Sequence, residues 1–119
     1  MTLQPCPNSP NCVSTQADAG DSKHHMDAVA YTGSPADVIA AVEATVTNAG
    51  GKVVSSTATS VDALFVSGLF KFKDDVNFEL DDEAKLLHFR SASRVGHSDL
   101  GANRKRMTAL VPKILSQLS

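Results

Sequence analysis

Apolar positions change their period twice along this chain, and the changes divide it into elements. Residues 1–24 are rich in Pro, Ser, Asn, Asp and Gly without periodicity, which reads as an irregular N-terminal segment. Residues 25–32, HMDAVAYT, alternate weakly, as a short first strand would. Val38, Ile39, Val42 and Val46 then recur at helical spacing. Ser34 stands at the N-cap position of that helix, Pro35 at its first residue, and Gly50-Gly51 at its end. From Lys52 to Val95 β-branched and aromatic residues dominate, predicting strands at 52–58, 62–72, 74–80 and 85–95. Helical spacing resumes near Asp99, where Met107, Leu110, Val111, Ile114, Leu115 and Leu118 form one stripe. Pro112 falls inside the stripe, lacks an N–H and is placed to kink the helix.

The order is therefore β-α-β-β-β-β-α. Four successive strands make an antiparallel meander, and each helix has one apolar face to bury. Both helices are expected on one face of a curved antiparallel sheet, a two-layer α+β fold. The order resembles half of the TATA-binding-protein fold, an analogy that carries no function. The chain divides into residues 1–24, a segment with a cysteine knuckle, and residues 25–119, a single domain.

Turn chemistry sets a register for the last two strands. A four-residue turn at Asp81–Ala84 places Phe78 opposite Leu87 and Val76 opposite Phe89. The same register puts Asp75 opposite Arg90, a cross-strand ion pair, and Asp74 opposite Ser91. Adjacent strand residues point to opposite faces, so Asp74 and Asp75 cannot share a proton or a metal. Asp81, Asp82 and Glu83 read as a solvated turn.

Composition narrows the function classes. At 119 residues there is one core, and with five Phe, one Tyr and no Trp it is mostly aliphatic. Hydrophobic residues at 42% and charged residues at 20% are ordinary for a soluble globular protein. A net charge of −2 gives no global support to nucleic-acid or anionic-membrane binding, so any anion affinity has to be local. No apolar run approaches the roughly 18 residues of a membrane span. The opening MTLQPCPNSP lacks the basic and apolar regions of a signal peptide. Both a cytoplasmic location and export after removal of a leader remain compatible with it.

Two segments carry candidate chemistry. In CPNSPNC, residues 6–12, prolines 7 and 10 compact the loop and bring Cys6 and Cys12 within reach of a disulfide. Free thiols, or a metal site completed by His24 or His25, are the alternatives, although zinc sites usually show tighter C-x₂₋₄-C spacing. No cofactor is indicated. In RSASRVGHSDLGANRKR, residues 90–106, strand parity sends Arg90 and Arg94 to one face and Ser91 and Ser93 to the other. Gly96 supplies the backbone freedom where the strand leaves the sheet. Ser98 or Asp99 caps the last helix, and Asn103, Arg104 and Arg106 follow on its first turns. A helix start flanked by guanidiniums fits phosphate or carboxylate. Arg90, Arg94, Ser98, Asp99, Asn103, Arg104 and Arg106 are thus the candidate ligand-binding residues, with Cys6, Cys12, Asp75 and Gly96 structural. His97-Ser98-Asp99 has the letters of a hydrolase triad, but contiguous residues do not converge as a triad does. His88, on a strand among apolar neighbours, reads as structural.

CPNSPNCVS, the Asp74-Asp75 pair and RSASRVGHSDLGANRKR together resemble the bacterial and plastid family named domain of unknown function 1499, over nearly the whole chain. The resemblance implies that Cys6, Pro7, Ser9, Pro10, Asn11, Cys12, Asp75, Arg90, Ser91, Ser93, Arg94, Gly96, Asp99, Gly101, Asn103 and Arg106 are family positions. It implies no reaction. Ala28 stands where that family has a proline, and the export or membrane segment that members often carry before the motif has no counterpart in residues 1–24.

Three functions compete. The first is a binding module for an anionic small molecule or peptide carboxylate. The second is a hydrolase or transferase using Asp99 or His97 as base. The third is a structural or partner-binding protein in which the motif is a folding clamp.

Overall fold

The computed structural model describes residues 3–68 and 71–118. Its elements run β1 (Cys12–Ser14), β2 (Val29–Ala30), α1 (Pro35–Asn48), β3 (Lys52–Ser56), β4 (Ser60–Ser67), β5 (Phe72–Asp81), β6 (Leu86–Ser93) and α2 (Ala102–Leu115). All six strands join one antiparallel sheet, in which β3, β4, β5 and β6 lie side by side in chain order. β1 and β2 share the far edge of β6, β1 pairing with Arg90, Ser91 and Ala92 and β2 with Leu86 and Leu87. Thr15 bridges the gap between them, its N–H donating to the Phe89 carbonyl and its hydroxyl accepting the Phe89 N–H.

Strand alternation assembles the core. Val61, Ala63, Phe65, Val76, Phe78, Leu80, Leu87 and Phe89 are buried on one face of the sheet. Val38, Val42 and Val46 of α1 and Met107, Leu110 and Ile114 of α2 close over them. α1 packs on β3 and β4, α2 on β6 and β1, and the helices touch each other. Among the described residues, no helix covers the opposite face of the sheet. This is the expected two-layer α+β fold.

Local chemistry sets the helix ends. The Ser34 hydroxyl accepts the Asp37 N–H and Pro35 follows as the first helical residue. After α1 the chain reverses through Gly50 at φ +88. Gly51 has a different reason to be glycine: a Cβ there would come within 2.6 Å of the Phe65 ring. α2 continues through Pro112 to Leu115, and Gly101 at φ +79 stands at its N-cap position.

Three local expectations are corrected. Residues 1–24 are not irregular throughout, because Cys12–Ser14 completes the sheet edge as β1. The first predicted strand contracts to Val29–Ala30, since the β6 edge it shares is already occupied by β1 further along. The β5–β6 turn occupies Asp82, Glu83, Ala84 and Lys85, one residue later than the turn chemistry suggested. Sliding the turn by one moves the pairing by two, so each residue keeps its face and changes its partner. Phe78 faces Phe89, Val76 faces Ser91, and Asn77, not Asp75, faces Arg90. The cause is non-local. Lys85 holds a left-handed φ of +56 while its carbonyl accepts the Tyr31 N–H and its ammonium reaches the Gly33 carbonyl and Asp82.

Tyr31 is the single tyrosine of the chain, so the same anchor can be read directly. Its ring is buried and its hydroxyl donates to Asp82 at 2.7 Å. Burial first, and the Asp82 carboxylate second, push the phenol up to about 12 from its ordinary 10.0. The unfolded chain ionises this group at lower pH, so the stability it contributes is complete below pH 10 and is lost as pH rises toward 12. Ultraviolet titration of the phenolate is expected to give a midpoint near 12. In Asp82→Asn it is expected to fall only part of the way toward 10, because burial, the larger cause, remains.

Candidate functional site

The 90–106 segment lies on both sides of the sheet, because β6 sends successive residues to opposite faces. On the helix side, Asp74 of β5 and Ser91 and Ser93 of β6 face the start of α2. Asp74 is 4% exposed and Ser91 and Asn103 are wholly buried, so each needs a partner inside the protein. Arg106 supplies the charge: one terminal nitrogen donates to Asp74 Oδ2 at 2.6 Å, the other to Asn103 Oδ1 at 2.9 Å and Ser91 Oγ at 3.2 Å. Its guanidinium also lies 4.9 Å from the centre of the Phe65 ring. The Ser91 hydroxyl donates to Asn103 Oδ1 at 2.6 Å. The Asn103 amide nitrogen donates to Ser93 Oγ, Asp99 Oδ2 and the Asn11 carbonyl.

Asp99 caps α2 although Gly101 occupies the formal cap position. Its carboxylate accepts the Gly101 N–H at 2.8 Å and the Asn103 N–H at 3.0 Å. Burial pushes the Asp99 carboxyl up, but the hydrogen bonds from Asn103 and Gly101 outweigh it and hold the group below its ordinary value. Ser98 does less: its exposed hydroxyl accepts the Leu100 N–H. Gly96, at φ +87, makes the bend out of β6 that a strand residue there has to make.

The cysteine knuckle docks against this bend. Cys6 and Cys12 form a disulfide with Cα atoms 5.7 Å apart. Asn11, next to Cys12, donates its amide to the Gly96 carbonyl at 2.8 Å and accepts the Ser93 N–H on its own carbonyl. Ser9 Oγ steadies the Asn11 side chain at 2.8 Å. His24 takes part in this structure: it bonds the Ser9 carbonyl through Nε2 and Asp21 through Nδ1. His25 is likewise engaged, with the Ala17 carbonyl and Asp27.

On the open side of the sheet Arg90 and Arg94 share a groove of about 600 Å³ with Asp62, Asp75, Asn77 and Glu79. Leu3 and Gln4 overhang one side of it. Arg94, a diagonal neighbour of Asp75, forms a two-pronged pair with it at 2.8 and 2.9 Å. The carboxylate expected to hold Arg90 therefore holds Arg94. Arg90 is half-buried; one of its terminal nitrogens donates to the Pro5 carbonyl at 3.4 Å, and among the described residues its buried Nε has no hydrogen-bond partner. Burial lowers its pKa and the nearby Asp75 charge opposes that shift. Asn77 donates to Asp62 at 2.7 Å, which completes a polar row across the sheet from Arg90.

The seven candidate ligand residues are thus divided. Arg90 and Arg94 line the open groove; Asn103, Arg106 and Asp99 are joined beneath the sheet. Arg104 points elsewhere and donates to the Ser22 and Lys23 carbonyls. His97 and Ser98 are exposed on the 94–101 loop, and neither lines the groove with Asp99. Sequence reasoning placed Ser91 and Ser93 by face and put Asp74 opposite Ser91, where the structure pairs Asp74 with Ser93; it did not join the serines to Asn103, and it gave Asn11 no role. Polar residues at inward positions of two neighbouring strands were the available signal.

The family model described as "Protein of unknown function (DUF1499)" matches residues 2–114, and the chain belongs to that family. No curated protein matches it.

The two arginine–aspartate pairs differ in burial, and their removal should differ in cost. Arg106→Ala leaves Asp74 without its countercharge in the core and is expected to destabilise by about 3–5 kcal/mol. Arg94→Ala breaks a pair in which both side chains are more than one-third exposed and is expected to cost no more than about 1 kcal/mol. Urea unfolding of the two variants measures the difference. Equal costs would contradict this assignment of the clamp.

Proposed function

We propose that this member of the family is a non-catalytic binding module whose ligand lies in the groove on the open face of the sheet. The observation that carries the reading is Arg90, a half-buried guanidinium beside the groove whose Nε lacks a hydrogen-bond partner among the described residues. A buried cationic donor without an acceptor is unfavourable, and a carboxylate or phosphate oxygen would satisfy it with a charge-assisted hydrogen bond. Arg94, held flat by Asp75, provides a second guanidinium of fixed orientation.

The other lining groups narrow the ligand class. Asp62 and Glu79 add carboxylates, and Asn77 an amide, to the same groove. A small inorganic anion would use only the arginine side. A peptide carboxylate brings an anionic end for Arg90 and N–H groups for the acidic side, so it matches more of the surface. Arg106, Asn103 and Asp99 serve in this reading as the clamp that keeps β6 and α2 fixed beneath the groove. The groove does not bring the candidate bases together: Asp99 is engaged at the start of α2, and neither it nor the exposed His97 lines the groove.

Calorimetric titration with acetate, inorganic phosphate and short peptides, each with a free or an amidated C-terminus, tests the proposal. Free-carboxylate peptides are expected to bind, and amidation or Arg90→Gln to weaken them by about tenfold or more. Absence of binding by every probe, or equal binding by Arg90→Gln, counts against it.

A further inference from the structure

Three large apolar side chains stand exposed at one end of the sheet, away from the groove. Phe72 is 52%, Val95 64% and Leu100 86% exposed. Asp74 pairs with Ser93 and the Arg94 N–H donates to the Lys73 carbonyl, so Phe72 and Val95 leave the sheet side by side. Asn103 binds both Ser91 and Ser93, which brings Leu100, three residues earlier, over the same end.

Leu100 is placed there at a cost. It holds a left-handed φ of +54, a region where Asn or Gly fits better, and its side chain is almost wholly in solvent. Neither its backbone nor its burial within the chain accounts for a leucine.

Cations outnumber carboxylates around this end: Lys71, Lys73, Lys105, Arg94 and Arg106 against Asp74, Asp75 and Asp99. Lys71, Lys73 and Lys105 are exposed, and among the described residues none of them enters an ion pair. The carboxylates nearby are already engaged: Asp74 by Arg106, Asp75 by Arg94, and Asp99 by the start of α2. Acidic groups collect at the opposite end of the sheet, in the turn that contains Asp82 and Glu83. A chain of net charge −2 therefore presents a cationic, apolar tip.

The geometry points to docking of this tip on an anionic lipid surface. Phe72, Val95 and Leu100 enter between the headgroups, and the three lysines meet lipid phosphates. Three side chains, Phe72 at the start of β5 and Val95 and Leu100 on the 94–101 loop, offer far less contact than the roughly 1,000 Å² of a specific protein interface. A lipid surface asks for no complementary shape and rewards a few apolar groups flanked by cations.

Flotation of the full chain with vesicles tests this. Vesicles of equal parts phosphatidylcholine and phosphatidylglycerol are expected to carry the protein, pure phosphatidylcholine vesicles are not, and added salt is expected to weaken the binding. Leu100→Asn relieves the backbone and removes the apolar group. It is expected to unfold no earlier than the parent while binding about tenfold less. Lys105→Ala is expected to bind about fivefold less. The proposal is overturned if the parent stays off the anionic vesicles, binds both vesicle types equally, or binds no better than Leu100→Asn. A concentration-dependent dimer that Leu100→Asn abolishes, with no vesicle binding, would assign the tip to a second copy of the chain instead.

Discussion

A carboxylate on the core side of a strand cannot be left without a countercharge, and the 90–106 segment is organised around that constraint. Asp74 is buried like Val76, Phe78 and Leu80, which follow it on its face. Burying it alone would cost several kcal/mol, so a cation has to reach it from the covering layer. Arg106 does so from α2, but a guanidinium has five N–H groups and one carboxylate cannot absorb them all. Ser91 and Asn103 accept from its other terminal nitrogen, Asn103 recruits Ser93 and Asp99, and Asp99 in turn supplies the helix cap. Each partner creates the need for the next. The result fixes where α2 starts and how it lies on β6.

The same logic accounts for the N-terminal segment. Asn11 joins the network through its own carbonyl and holds the bend at Gly96 through its side chain. A three-residue strand such as β1 pairs weakly by itself, and the Cys6–Cys12 disulfide limits the freedom of the loop that precedes it. On a loop-entropy basis so small a ring contributes only about 2 kcal/mol. That is enough here because it holds Asn11 at a contact where the sheet edge, the bend and α2 all meet.

What could be read in advance was whatever depends on neighbours in sequence. The helix around Val38 to Val46, its Ser34 cap and glycine end, the four-strand meander and the faces of Arg90, Arg94, Ser91 and Ser93 all follow from local period and turn residues. The partner of each residue did not. Turn composition allowed two positions for the β5–β6 turn, and contacts from Tyr31 and Gly33, more than fifty residues earlier, select one. The parity argument survived that shift because the pairing moves by an even step. The pairing of Asp75 with Arg90 did not survive it, since an ion pair depends on the particular partner. Asn11 was hidden for a related reason: its contacts are more than eighty residues away in sequence.

Strand alternation also explains how one short motif carries so many polar residues. β6 needs inward groups to complete the clamp and presents outward groups to the open face, and the two sets interleave in sequence without meeting in space. A clamp beneath the strand holds its backbone still, which limits the motion of Arg90 and Arg94 on the other side. For a ligand that has to find two guanidiniums at a set separation, that rigidity lowers the ordering cost of binding. The polar surplus of the segment is therefore two sets of residues, one bound to the core and one facing outward, with the first positioning the second.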